Sequence, residues 1–588
     1  MLAAWVAICL QPMALYILLS GLDDLLLDLT WLRRRMRPPR PEPPEGSQRS
    51  IALMIPCWHE QDVIASMIEH NRAAIRYPNY GVFAGAYRND AATQNAIRKV
   101  ASRDEKVHLA LVPHDGPTVK ADCLNWIYQG ILEYEAQAGR RFDLIVLHDA
   151  EDLIHPEEFS TIDRYAAEYD MIQVPVLPLP TPWRELTHGV YCDDFAESQG
   201  KDLETRQELG GFLPGCGVGT GWRREALEDL ARLNSNRLFS PDHLTEDYDN
   251  GLRLHALGYR QILVPLRQAN GSWRATREYF PRGWRAAVRQ RSRWVTGGAL
   301  QTWEKWGWRG NWARRYFFWR DRKGLWGNPV SLVCDLVLLY GLLSWASSRA
   351  AGYRWPLGDQ VRADPRMHFL LWMNFGLLVE RTCVRMVSVA RFYGWTFALG
   401  VPLRMLWGNL LNFAATRKAL WTYWRARWRG EPLVWVKTAH SYPTREGLHE
   451  YRRQLEEILV TSGHIEPQAL QDALARKPDS ARLGDFLVAE GLLSSQELSE
   501  AMSLQQGLPC VSVQPEDVSP GVARLLPRDF ARAWKVLPFR IDSGTIDVAS
   551  PDPPGEQLQA ELRQYTRLEI RFHLVTGEQF EELASRLL

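Results

Sequence analysis

At 588 residues the chain is too long for one hydrophobic core, and length alone suggests roughly three to four units. A net charge of +1 argues against a nucleic-acid partner, and the eight cysteines, scattered without a CxxC pair, read as reduced thiols rather than a metal site or disulfide framework. The 25 tryptophans, many of them between Trp273 and Trp435, suit both sugar stacking and an interfacial aromatic belt.

Residues 1–22 carry no charge and are long enough to span a bilayer, without the basic start and small-residue cleavage site of a signal peptide. Arg33, Arg34, Arg35, Arg37 and Arg40 follow at once, which places the next residues in the cytoplasm and the N-terminus outside. Pro38 to Pro44 then reads as a stiff linker. From Ile51 short apolar runs alternate with helical patterns: Ile51 to Ile55, Val82 to Tyr87, Val107 to Val112 and Leu144 to Leu147. That alternation predicts a mostly parallel sheet, whose ligands bind beyond the carboxyl ends of the strands. Those ends carry Pro56 to Glu60, Asn89-Asp90 and His148 to Asp152.

Asp149 and Glu151 are spaced to share a hard divalent cation, Mg²⁺ or Mn²⁺, without which a diphosphate would be repelled. Lys120 opens a predicted helix and could meet a nucleotide. Residues 210–222 pack six glycines into thirteen positions, which lets backbone approach a ligand closely; we read this stretch, Gly217 included, as a wall of the acceptor site, or as a plain tight turn. Thr245-Glu246-Asp247 follows a turn signal and starts a helix, so a carboxylate there points in a fixed direction. Arg285, Arg289, Arg291 and Arg293 with Trp284 and Trp294 offer cationic forks and flat faces suited to a diphosphate and a sugar ring. A carboxylate base beside an arginine-clamped leaving group describes sugar transfer from a nucleotide.

Further on, 324–348 and the apolar run from 367 past Glu380, Arg381 and Arg385 are expected to span, giving three spans in all. The charges in the second of these either border a sugar path or snorkel to the interface. Residues 392–416 are too short of apolar length to cross and are expected to be interfacial or re-entrant. Beyond Trp435 the chain repeats with an offset of 28: Leu455, Leu459, Val460 and Gly463 recur as Leu483, Leu487, Val488 and Gly491, which predicts two stacked helical hairpins.

In this order the first set of motifs resembles glycosyltransferase family 2, the GT-A fold enzymes that include cellulose and hyaluronan synthases, over about residues 50–300. The motifs are Pro56 to Glu60, Lys120 to Asn125, Asp149-Ala150-Glu151, Thr245-Glu246-Asp247 and Gln290 to Trp294. The resemblance implies that Asp149 and Glu151 hold the metal and that Pro56, Glu60, Asp90 and Lys120 meet the donor nucleotide. It makes Asp247, with Glu246 beside it, the base, and gives diphosphate and acceptor to Gln290, Arg293 and Trp294. Glu151 stands where the family has its second aspartate, leaving Glu151 or Asp152 as the second ligand.

The second repeat, Arg482 to Leu487 through Gln505, resembles the N-terminal domain of type II secretion ATPases of the MshE type, as does the stretch from Leu526 to Pro553. It implies cyclic di-GMP binding by Arg482, Leu483, Gly484, Asp485, Leu487, Leu493 and Gln505, with Gln454 and Leu455 from a degenerate first copy. The pairing of the two parts resembles the bacteriophage adsorption protein B family, inner-membrane proteins of Gram-negative bacteria. That implies an exported polysaccharide built from a UDP-N-acetylhexosamine, N-acetylmannosamine leading, on a growing glycan acceptor, with cyclic di-GMP as activator and an outer-membrane export or receptor partner. The rival expectation is a catalytically inactive envelope scaffold or phage-receptor component.

The expected architecture is therefore an α/β GT-A (Rossmann-like) domain plus transmembrane helices and a C-terminal α+β regulatory domain. Its parts are an anchor and linker over 1–49, a cytoplasmic transferase domain over 50–323, membrane and interfacial helices over 324–445, and a cytoplasmic regulatory domain over 446–588.

Overall fold

The computed structural model describes residues 2–38, 42–44, 46–267, 273–431, 433, 455–456, 459, 464–478, 481–506, 508, 510–542, 545–566 and 568–588. It divides into two compact units, Met1–Tyr442 and Pro443–Leu588.

The first unit is built on strands β1 (Ile51–Pro56), β2 (Tyr80–Tyr87), β3 (Val107–Val112), β4 (Leu144–Leu147), β5 (Met171–Gln173), β6 (Val176–Pro178), β7 (Thr220–Arg223), β8 (Gln261–Leu263) and β9 (Thr276–Glu278). Seven of them form one sheet in the order β3-β2-β1-β4-β7-β5-β8, and β6 pairs with β9 apart from it. All pairings in the large sheet are parallel except those of β7, which runs antiparallel to both β4 and β5. The four apolar runs of the sequence are β1 to β4. β1, β2 and β4 lack polar alternation because both faces are covered. Ile51, Leu53 and Ile55 join one core, and Ala52 and Met54 the other, with helix Lys120–Ala138. Gly85 in β2 is required there: a Cβ on it would lie 2.5 Å from Cγ1 of Ile127 in that helix.

Helix Trp312–Ala351 is the one described helix long and apolar enough to cross a membrane by length and composition. The 323/324 boundary expected from the sequence falls inside it. Its first turns bury Phe317 and Phe318 against Phe212 and Leu252, so the helix starts as protein core. Residues 2–22 and the run from 367 are helical as well, within Leu2–Arg35 and Pro365–Ala398, and pack on each other: Asn374 Nδ2 donates to the Ala14 carbonyl at 2.8 Å.

Arg381 and Arg385 in the second run are paired with acids of neighbouring helices. Arg381 bonds Asp24 at 2.9 Å, Arg385 bonds Asp194 at 2.5 Å and Glu197 at 2.8 Å, and Lys323 bonds Asp24 at 2.8 Å. Pairing across helices removes the penalty of an isolated charge in an apolar setting. The 392–416 stretch is split by a helix break at Gly394 (φ 80°), and from Val401 a single helix runs on to Arg429. Arg404 does not end it, because its guanidinium is buried and forked onto Asp193 at 2.8 and 2.9 Å.

In the second unit, helices Pro467–Arg476, Leu483–Ala489 and Ser495–Gln506 share a core in which Leu459, Leu470 and Ala473 of the first repeat meet Leu487, Leu493 and Ala501 of the second. A three-stranded sheet follows, β10 (Leu537–Asp542), β11 (Thr545–Ser550) and β12 (Glu569–Leu574), antiparallel at β10/β11 and parallel at β11/β12. The α+β reading of this unit holds.

Candidate active site

An open cleft of about 1050 Å³ lies beyond the carboxyl ends of β1, β2 and β4. It is lined by Pro56 and Glu60 after β1, Tyr87 of β2, Lys120 at its helix start, Asp149 and Glu151 after β4, Gly217, Glu246, Asp247, Gln290, Arg293 and Trp294. All the donor, metal, base and diphosphate residues expected from the sequence meet here except Asp90. Asp90 instead caps helix Ala91–Ala101 through the Thr93 amide and accepts from the His59 amide at 2.7 Å, which fixes the turn carrying Glu60.

Lys120 is the electrostatic centre. Its Nζ lies 2.5 Å from Asp149 Oδ1 and 3.3 Å from the Gly217 carbonyl. Burial works against its charge, but Asp149, Glu246 and Asp247 more than offset that, and its pKa rises. The same burial pushes the carboxyls of Glu246 and Asp247 up, with Lys120 acting in the opposite direction. Both acids sit in the first turn of helix Glu246–Ala256, where amide groups hold them in direction. The glycine-rich stretch is pressed onto them. Gly217 has φ +78°, and a Cβ there would sit 3.0 Å from Asp247 Oδ2.

The 242–245 segment before Glu246 and the helical segment Val295–Gln301 that continues helix Trp284–Trp294, distant in sequence, are locked together. A Cβ on Gly297 would lie 2.2 Å from Thr245 Oγ1, and Gln301 accepts from the Leu244 amide at 2.9 Å while donating to the Asp242 carbonyl at 2.7 Å. Arg293 and Gln290 line the cleft, and among the described residues Arg293 Nε and Gln290 Oε1 are buried without a hydrogen-bond partner. Buried polar atoms are satisfied in most proteins, so these two side chains retain unused hydrogen-bonding capacity. Arg291 points the other way, to Asp194 and Asn412, both at 2.8 Å. Asp194 also takes Arg385, so one carboxylate ties this helix to Pro365–Ala398.

Beneath the acidic loop, His148 is clamped between Asp152 Oδ2 at 2.8 Å and Glu158 Oε1 at 2.6 Å, and Thr276 donates to Glu158 at 2.9 Å. Burial opposes protonation of His148, yet Glu158 and Asp152 raise its pKa to about 10. Asp152 is thereby used structurally; Glu151, not Asp152, lines the cleft. This network also brings in Glu278 of β9, a cleft residue absent from the sequence expectations. Its carboxyl is driven well above the usual range by burial and then by Asp152, Glu151 and Asp149. Asp149 and Glu151, with Glu278 near, offer only oxygen donors, the chemistry a hard divalent cation such as Mg²⁺ or Mn²⁺ takes. Among the described residues, no group of three or more His, Cys, Asp or Glu side chains is placed to hold a metal ion by itself, so these acids would share a cation with the donor diphosphate.

In the second unit the motif residues separate. Leu487 and Leu493 are fully buried, and Leu455 and Leu483 pack half-buried against the same core. Gly484 has a packing reason, since a Cβ there would lie 2.6 Å from Leu498 Cδ1. Arg482 and Asp485 are exposed, and Arg482 bonds Asp552 at 3.2 Å. Gln454 lies outside the described residues, as does the side chain of Gln505.

The sheet and its cleft define a GT-A glycosyltransferase domain; residues 48–297 match the glycosyltransferase like family 2, and 506–588 match the MshEN domain. The chain belongs to the bacteriophage adsorption protein B family: it is 34% identical over 592 aligned residues to bacteriophage adsorption protein B of Escherichia coli (strain K12), covering 96% of this chain and 79% of that protein. It is also 33% identical over 131 residues to the type IV pilus assembly ATPase PilB of Thermus thermophilus, covering 22% of this chain and 15% of that one. Among solved structures, the mannosyltransferase PcManGT of Pyrobaculum calidifontis, in complex with GDP-Man and Mn²⁺, is 18% identical, with 72% of this chain and 99% of that chain covered and a TM-score of 0.42.

Proposed function

We propose that the chain is an inverting, metal-dependent transferase that moves a sugar from a UDP-N-acetylhexosamine, N-acetylmannosamine leading, onto a growing glycan for export. The observation that carries this reading is the convergence on one cleft of Asp247, the Lys120–Asp149 pair, Glu151 and the unpartnered Arg293 and Gln290. Asp247 takes the proton of the acceptor hydroxyl, whose oxygen attacks the anomeric carbon from the face opposite the leaving group. The bond from that carbon to the diphosphate oxygen breaks, its electron pair leaving on UDP, where Arg293 and Gln290 meet the developing charge. Asp149 and Glu151 are the residues that would hold Mg²⁺ or Mn²⁺, which supplies positive charge against the diphosphate. Lys120 holds Asp149 in place for this.

The C-terminal unit is the regulatory part of the proposal. Exposed Arg482 meets a phosphate or guanine of cyclic di-GMP, exchanging its exposed partner Asp552 for the nucleotide, while Leu487 and Leu493 support the surface from within. For tenfold activation the nucleotide must favour the active arrangement by about 1.4 kcal/mol. An inner-membrane location in a Gram-negative cell, both units on the cytoplasmic side and an outer-membrane export partner complete the reading on the family relationship.

The test is product analysis. Purified protein given UDP-N-acetylmannosamine, Mn²⁺ and cyclic di-GMP should yield a glycan whose new linkage has the opposite anomeric configuration to the donor by NMR. A product with retained configuration, or transfer from a panel of UDP-hexoses that excludes every N-acetylated donor, would refute the proposal as stated.

A further inference from the structure

Beside the cleft, and sharing Leu244 and Arg293 with it, lies a second cavity of about 1180 Å³ between helices Trp284–Trp294 and Val401–Arg429. Arg285, Arg289, Arg293 and Lys418 line it together with Trp284 and Thr422, and among the described residues no carboxylate does. None of the four cations makes an ion pair within 4.0 Å among the described residues. Glu304, the nearby acid on the helix Thr302–Trp306, is already engaged by Tyr423 at 2.9 Å and by Arg427. On the cleft side, Glu246 and Asp247 act on Arg293 electrostatically. Burial and then the neighbouring Arg289 depress the pKa of Lys418, as expected of cations crowded without an anion between them.

The surroundings are those of a membrane surface. Helix Val401–Arg429 leaves Trp421, Trp424 and Trp428 exposed (68%, 65% and 89%) among Arg417, Lys418, Arg425, Arg427 and Arg429, and its Thr416 bonds Asn328 of the membrane-length helix at 2.8 Å. Exposed aromatics interleaved with basic residues are the composition of an interfacial helix next to phosphate headgroups.

We infer that this cavity is a second binding site, specific for a phosphate group, and that it holds the phosphate end of the acceptor alongside the sugar donor. Guanidinium forks and an ammonium around one concavity suit a dianion with several acceptor oxygens. A group seated there reaches the cleft through the shared Arg293. That the phosphate belongs to the acceptor rests on the transferase reading above; that the cavity binds phosphate does not.

The experiment is calorimetry on the full chain in neutral detergent, with Mg²⁺ and saturating UDP so that the donor cleft is blocked. Two probes are titrated, inorganic phosphate and the water-soluble lipid dihexanoyl phosphatidic acid. Binding that weakens with salt is expected, tighter for phosphatidic acid, and at least tenfold weaker in the double variant Arg289→Gln/Lys418→Gln. Lys418→Arg, which keeps the charge, should bind as the parent does, and UDP affinity should be unchanged in every variant. Inorganic phosphate binding as tightly as the lipid would overturn the acceptor assignment while keeping the phosphate site. Parent-like binding in the double variant, or no binding of either probe by the parent, would overturn the site. If UDP release fails in a protein that still binds phosphatidic acid here, the transferase reading falls alone.

Discussion

The motif residues gathered in the cleft and those described in the C-terminal unit are held for different physical reasons. In the cleft the motif residues are charged groups taken out of water: Lys120, Asp149, Glu246 and Asp247, with Glu278 added by the fold. Nothing about packing requires a carboxylate where its pKa is driven upward, and an apolar or amide group would be less costly there. Such a cluster in a cleft is therefore evidence of chemistry. In the C-terminal unit Leu487, Leu493 and Gly484 are fully accounted for by a hairpin core, and among the described motif residues Arg482 and Asp485 are the exposed ones. The same strength of sequence motif thus carries different weight in the two places.

The sharpest way to break the comparison is Asp247→Asn. It should lower turnover by roughly 10²–10⁴ with UDP binding retained. Because the Asp247 carboxyl is raised in the folded state, ionising it costs stability as pH rises through that value. The amide variant should therefore be no less stable than the parent at neutral pH by thermal unfolding. Lower stability together with lost activity would mean that Asp247 is structural.

In the C-terminal unit the order reverses. Leu487→Ala should cost about 2–5 kcal/mol, seen as faster hydrogen exchange in 483–506, because it empties a buried site. Arg482→Ala should leave exchange there unchanged, since an exposed ion pair contributes little, and should abolish the response to cyclic di-GMP while sparing basal transfer. An undiminished response in Arg482→Ala would leave the unit a docking module. The smallest effect is in pH dependence. A base must be ionised, so the acidic limb of turnover should fall at a pH above that of an ordinary aspartate, about 3.9. A limb at or below that value would deny Asp247 the role.

Much of this was legible from the residues. Strands β1, β2 and β4 are apolar runs because both faces are buried, and such runs can be read directly, while edge strand β3 leaves Leu111 exposed. The three-residue β5 and β8 hold too few positions to show a period, and β7 was hidden in the glycine-rich stretch, whose last residues Thr220 to Trp222 belong to the central sheet. Glu278 gave no signal, because a single glutamate in a short strand acquires its meaning only when the fold sets it facing Asp149 and Glu151. Asp194 was likewise illegible: its two arginines come from helices far along the chain. The motif spacing did find Gly217 and Asp247, and their contact explains why glycine is needed there. Asp90 was correctly singled out as a strand-end acid, but the structure uses it to cap a helix.

The central claim is that the cleft is a working sugar-transfer site, and UDP release tests it most directly. Full-length protein in detergent with Mn²⁺, UDP-N-acetylmannosamine and saturating cyclic di-GMP should release UDP, faster than without cyclic di-GMP and not at all after chelation of the metal. Absence of UDP release from every UDP-sugar under these conditions would contradict the account and leave the chain an envelope scaffold with an inactive transferase fold.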